Sequence, residues 1–306
     1  MKNKKTFGNI ILLLTSVIWG LAFVFQRTGM DSIEPITFNA ARMIAAAIFL
    51  VVLSAIFDKK DGKIKQDLAN AETEAEIKKR KRATLIGGIL CGLFLAASST
   101  TQQMGIVHTT AGKAGFITAM YMLFVPIINL IIFRKKTGAR VLIAVVLGLV
   151  GMYLLCIKDD FTFTSGDALI LLCALLFSGH ILCCDRFAPF CDPIKLSAIQ
   201  FIVSGVICSA LAFLTESPSV DKLISALVPI LYCGILSGGV GYTLQIVGQK
   251  HTEPTTASLI MSLEAVFAAL AGAILLHERM STQELIGSVI MFGAIILVQL
   301  PQKVRK

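Results

Sequence analysis

Charge is what this sequence has least of. Asp, Glu, Lys and Arg make up only 15% of its 306 residues, against about 25% in soluble domains. Several chemical signatures are missing as well. There is no G-x-S-x-G elbow and no H-E-x-x-H helix, which argues against a serine hydrolase or a zinc protease of the usual build. No P-loop occurs, so ATP hydrolysis by this chain is not expected. Its apolar segments hold no acidic cluster of the kind a Mg²⁺-dependent transferase uses. They also offer no ring of identical residues for a channel filter. The eight cysteines form no C-x-x-C pair. They are expected as small apolar packing residues, so neither a disulfide nor a metal nor any cofactor is anticipated.

What is present is apolar. The hydrophobic fraction is 56% and the mean hydropathy +0.80, more than a water-soluble chain of this size could bury. The bilayer removes that problem. Ten candidate membrane-crossing runs follow: residues 8–26, 35–57, 83–103, 111–133, 140–157, 165–184, 193–214, 222–245, 254–276 and 282–300. They are too long, and alternate too little, for barrel strands. The basic start Met1-Lys2-Asn3-Lys4-Lys5 imitates a signal peptide, but no A-x-A-like site follows, so a retained first helix is expected.

The net charge of +9 could suggest nucleic acid, but its placement points to the membrane. With a cytoplasmic N-terminus, 22 of the 28 Lys and Arg fall in cytoplasmic segments. Only Arg27, Lys158, Lys222 and Arg279 face the other side, while Arg42 and Lys113 lie within spans. This asymmetry places both termini in the cytoplasm of a plasma-membrane protein. The charged loop 58–82 is expected as a solvated helix rather than a lipid-surface one.

The chain also repeats itself. Gly8 aligns with Gly166, Pro35-Ile36 with Pro193-Ile194 and Ala40 with Ala198, all at an offset of 158 residues. Thr100 aligns with Thr243, Gln102 with Gln245, Gly105 with Gly248 and His108-Thr109 with His251-Thr252, at an offset of 143. The longer charged loop of the first half accounts for the change. Two five-span halves, 1–160 and 161–306, must then enter the membrane from opposite sides. The fold expected is an all-α membrane protein of about ten helices in two inverted repeats, an arrangement used by secondary transporters.

Polar groups in hydrocarbon are costly, and each is a candidate for binding or coupling. Glu264 is the deepest carboxyl, suited to proton exchange or to a substrate ammonium. His180 could relay protons or pack. Arg42 and Lys113 could hold a substrate carboxylate or pair with Glu264, and Lys113 could instead snorkel. Trp19, Phe23, Tyr121 and Tyr242 could line an amphipathic cavity. Gln102, Gln103 and Gln245 need partners, and Asn39, Asn129 and Gln200 are weaker candidates of the same kind. Gly88 with Gly92 and Gly234 with Gly238 form G-x-x-x-G pairs that allow close packing or hinging. Pro126 and Pro229 should kink their spans. The cavity is expected between the first, third, fourth, sixth, eighth and ninth spans.

Several of these residues resemble one family. Trp19-Gly20, Arg42, the stretch Thr109–Thr118, the segment Ala257–Glu264, Leu276-His277-Glu278-Arg279-Met280-Ser281 and Gly287 are similar in order and spacing to the EamA-type branch of the drug/metabolite transporter superfamily. The first half departs at Arg134-Lys135-Lys136, where the second half has Glu278. The resemblance implies ten helices, cytoplasmic termini and alternating-access carriage of amino acids or related metabolites, often outward. Proton coupling and a monomer or homodimer are compatible with it. Another drug, metabolite or sugar-type substrate is the alternative; an intramembrane enzyme or a channel is the alternative of a different class.

Overall fold

The structure is a computed structural model that describes residues 2–60, 73–108, 111–157, 164–275 and 280–300. Residues 61–72 of the charged loop, Thr109-Thr110, Lys158, the Leu276–Arg279 part of the second-half motif and residues 301–306 lie outside the described residues. So does the side chain of Lys113.

Ten segments are long and apolar enough to cross a membrane: Asn3–Met30, Pro35–Lys59, Glu74–Ile106, Ala114–Phe133, Ala139–Cys156, Ser165–Phe190, Pro193–Thr215, Leu227–Gln249, Pro254–Leu275 and Thr282–Gln299. In chain order they are the first to the tenth span. No strand occurs among the described residues. Local chemistry sets several starts. Pro193 and Pro254 stand where a helix needs no N–H donor. Thr164 with Asp167, and Ser281 with Glu284, close capping boxes. The basic stretch up to Arg82 continues into the third span as one helix, Glu74–Ile106, opened by a Thr73–Glu76 capping box. Large apolar side chains such as Ile131, Phe213, Leu214 and Val289 point outward, as lipid-facing residues must.

The main helix contacts obey one rule. The second span packs on the seventh and the fifth on the tenth. The first packs on the eighth and ninth, the sixth on the third and fourth, the third on the seventh and the second on the eighth. Exchanging each span for the one five places away leaves this set unchanged. Glycines make the approaches possible. A Cβ on Gly8 would stand 2.9 Å from the Gly248 carbonyl oxygen, and one on Gly166 would stand 2.9 Å from that of Gly105. The two contacts are the same contact, made twice between the halves. The G-x-x-x-G pairs serve packing: Gly92 lies against the Gln200 carbonyl and Gly234 against that of Arg42.

The crossing of the second and seventh spans is tied at both ends. Glu216 accepts hydrogen bonds from the backbone N–H of Ile36 (3.0 Å) and Thr37 (2.6 Å), and from the Thr37 hydroxyl (2.7 Å). At the opposite end Lys195 pairs with Asp58 at 2.9 Å. Asp58 and Glu216, like Thr37 and Lys195, are 158 residues apart.

Three spans depart from simple helices. The fourth breaks between Ala119 and Tyr121, and the ninth between Met261 and Glu264. In each the chain tightens locally, with Met120 N–H bonded to Ile117 O and Leu263 N–H to Ile260 O, both 3.2 Å. The breaks fall at equivalent places in the two halves. Pro126 lies just beyond the first break, inside the helix Tyr121–Phe133. Pro229 lies in the short helix Leu227–Leu231, and there the departure is wider than a kink. The eighth span widens into a π-helical stretch, Tyr232–Gly241, a form common at functional sites.

Candidate functional site

The interrupted spans surround a cavity of about 700 Å³, counting its opening. Its walls come from all spans except the fifth and tenth. Arg42 and Met43 of the second span and Phe201 of the seventh join the six spans expected. The cavity is lined by the second part of the first span and by the early parts of the second and fourth, so it occupies the middle of the bundle and the half away from the N-terminus.

The lining follows the repeat. Trp19 and Phe177, Ala22 and His180, Phe23 and Ile181, and Met43 and Phe201 are pairs 158 residues apart. Gln102 and Gln245, and Tyr121 and Glu264, are pairs 143 apart. The cavity therefore sits where equivalent surfaces of the halves face each other. Gln102 and Gln245 are alike, but elsewhere the chemistry has diverged, with Ala opposite His and Tyr opposite Glu.

Glu264 opens the second segment of the ninth span and Tyr121 that of the fourth. The Tyr121 hydroxyl donates to Glu264 Oε1 at 3.1 Å. Arg42 is 8% exposed and Glu264 7%, and no ion pair joins them. Arg42 Nε instead donates to Asn39 Oδ1 at 2.9 Å, while Asn39 Nδ2 donates to Ser99 Oγ at 3.1 Å. A guanidinium and a carboxyl thus line one cavity without neutralising each other. Two buried amide oxygens on the wall, Gln26 Oε1 and Gln245 Oε1, have no hydrogen-bond partner. Buried acceptors of this kind are costly unless something satisfies them.

Tyr242 is the aromatic hub. Its ring lies 4.8 Å from Trp19, 5.6 Å from His180 and 5.3 Å from Phe201. Trp19 Nε1 donates to the Ser237 carbonyl at 3.2 Å, so the indole ties the first span to the π-helical stretch. His180 Nε2 meets Gln200 Oε1 at 3.0 Å, and Gln102 Nε2 donates to Thr118 Oγ1 at 3.3 Å.

Of the expected residues, Glu264, His180, Arg42, Trp19, Gln102, Tyr121, Tyr242 and Gln245 meet at the cavity. Gln103 does not line it. The residue is fully buried, and its Nε2 faces Met30 Sδ at 3.1 Å. One residue along a helix turns the side chain by about 100°, enough to separate it from Gln102. The cavity wall also includes Gln26 and Thr118, which sequence reasoning passed over. Three of the cysteines expected as packing residues, Cys91, Cys183 and Cys184, cluster beside His180. Outside the spans, the ammonium of Lys222 bonded to Glu34 holds that carboxyl below its ordinary range. Burial pushes the Lys250 ammonium downward, and its Nζ donates to the Cys191 carbonyl at 2.8 Å.

Comparison with known proteins agrees on one family. Residues 6–157 and 164–300 each match the EamA-like transporter family. The chain is similar to an uncharacterized transporter of Archaeoglobus fulgidus, 27% identical, with 97% of this chain and 87% of the relative covered. It is similar to the uncharacterized transporter YoaV of Bacillus subtilis, 21% identical over 94% of each chain. A WAT1-related chloroplastic protein of Arabidopsis thaliana is 22% identical, with 95% and 69% covered. One solved crystal structure shares the fold at a TM-score of 0.73 over 96% of each chain, with 14% identity.

Proposed function

The chain belongs to the EamA-like transporter family, and from that premise we propose that it carries a small zwitterionic metabolite of the amino-acid class across the plasma membrane by alternating access. One observation carries the substrate class. Arg42 and Glu264 line the same cavity and do not pair with each other. A guanidinium is suited to a carboxylate, and a carboxyl that shares the cavity with two unpartnered amide oxygens is suited to an ammonium. A zwitterion supplies both at once. The aromatic wall of Trp19, Tyr242 and Phe201 takes an apolar side chain.

The halves 1–160 and 161–306 are the moving units of this reading, rocking about the axis on which the paired lining positions meet. Outward carriage is the direction the family resemblance implies, and proton exchange at Glu264 is its coupling. The Lys and Arg asymmetry supports cytoplasmic termini. The working unit is a monomer or a homodimer.

The test is counterflow of amino acids in proteoliposomes. Arg42→Gln should abolish uptake of the preferred zwitterion, and Glu264→Gln should remove the response to a pH gradient. A Glu264→Gln protein with unchanged pH response sinks the coupling role. Unchanged counterflow in Arg42→Gln sinks the substrate assignment.

A further inference from the structure

Beside the cavity, the third and sixth spans bring three cysteines and a histidine together. Cys91 lies in the middle of the third span, and His180, Cys183 and Cys184 lie toward the end of the sixth. Cys91 Sγ is 3.3 Å from Cys183 Sγ and 3.6 Å from Cys184 Sγ. Cys184 Sγ is 3.9 Å from His180 Nδ1 and 3.7 Å from its Nε2. One ligand atom each from Cys91, His180 and Cys184 fits within 4.8 Å of the others, and all three residues are buried.

These separations are those of ligands around a shared ion rather than of a bond between sulfurs. Zinc–sulfur bonds of about 2.3 Å in a tetrahedron place sulfurs about 3.8 Å apart. The histidine is held by an outer partner. Its Nε2 faces the amide oxygen Gln200 Oε1 at 3.0 Å. Gln200 thus fixes the ring, as outer partners of metal-bound histidines do, with Nδ1 3.9 Å from Cys184 Sγ. The donor set is two thiols and one imidazole, which selects a thiophilic d¹⁰ cation over Mg²⁺ or Ca²⁺.

We propose that Cys91, Cys184 and His180 form a Zn²⁺ site joining the third span to the sixth. Each thiol that ligates gives its proton to solvent, and no oxidant or reductant is involved. Because the third span belongs to the first half and the sixth to the second, the ion bridges the two halves. His180 carries the link onward, since its ring also packs edge-on against Tyr242 in the cavity.

The experiment uses tag-free full-length protein in detergent, stripped with a chelator and titrated with Zn²⁺ and with Co²⁺ as a spectroscopic substitute. One ion per chain is expected, with thiolate-to-cobalt charge-transfer absorption and tetrahedral d–d bands. Cys91→Ser and Cys184→Ser should each weaken Zn²⁺ binding by more than the roughly 10–100-fold that loss of an outer-shell partner costs, while Cys156→Ser should not. X-ray absorption at the zinc edge of the wild-type protein keeps the test independent of how the variants fold, and sulfur neighbours are expected there. Failure to bind an ion, neighbours of oxygen and nitrogen alone, or wild-type affinity in a folded Cys91→Ser/Cys184→Ser double variant would each overturn the site.

Discussion

Tyr121 and Glu264 hold the same position in the two halves of the chain, 143 residues apart, and they touch through a 3.1 Å hydrogen bond. Equivalent residues of two halves can meet only close to the axis that relates them. Each begins the second segment of a broken span. The contact therefore marks the axis, and the duplicated break puts a carboxyl on it.

Tyr121→Phe is expected to leave the protein folded at a cost of about 1–3 kcal/mol, because a buried acceptor loses its donor. It should also alter the pH profile of counterflow. A profile superimposable on that of the unmodified protein would reduce Tyr121 to a packing residue.

The glycine contacts between the first and eighth spans and between the sixth and third should be equally intolerant. Gly8→Ala and Gly166→Ala each push a methyl group onto a carbonyl oxygen at 2.9 Å. Each should lower stability by about 1–3 kcal/mol. Gly293, where an added Cβ would meet nothing within 4 Å, is the control, and Gly293→Ala should raise stability by up to about 1 kcal/mol. Thermal unfolding of the three variants in one detergent decides it; equal behaviour of all three would refute the close contact.

The two ties across the second and seventh spans should differ in strength. Glu216→Ala strips three hydrogen bonds from the start of the second span and should cost about 1–2 kcal/mol, as lost caps do. Asp58→Ala breaks a pair whose side chains are more than 40% exposed, worth about 0–1 kcal/mol. Denaturation of the two variants side by side ranks them, and a larger loss from Asp58→Ala would reverse the order.

Acid should weaken the Glu34–Lys222 pair. The folded state holds the Glu34 carboxyl below its ordinary value through the Lys222 ammonium. A depressed carboxyl contributes stability above its unfolded pKa and loses it as pH falls through the folded pKa. Glu34→Gln should therefore flatten the acid limb of a plot of Tm against pH below about pH 4.5. The effect is small, because the pair is one-third or more exposed. An acid limb unchanged in Glu34→Gln would show that other carboxyls set it.

The number of spans was legible because a bilayer demands long apolar runs, and each half kept the residues its packing needs. Glu264 and Arg42 were legible as charges inside such runs. Gln26 was not, because an amide near the end of a span looks like an ordinary interfacial residue. Gln103 was misplaced because two neighbouring amides look alike until helix phase assigns them to different faces. The breaks at Met120 and at Ser262-Leu263 carry no Gly or Pro, so no local signal announced them. The π-helical stretch depends on how the eighth span fits its neighbours. The pairing of Tyr121 with Glu264 was written in the 143-residue register all along. The cysteine cluster needed the third dimension, since Cys91 is far from Cys183 and Cys184 in sequence.

The ties at Glu216 and at Asp58–Lys195 have a mechanical consequence. Two crossed rods fastened at both ends cannot slide along each other without breaking a fastening. They can still twist together about their common direction, which strains neither. Under the alternating access proposed above, the second and seventh spans would act as an axle, with displacement between the halves growing with distance from it. The fifth and tenth spans, which contribute nothing to the cavity wall, pack against each other around Gly151 and Gly287 and on the same reading would be a second bearing.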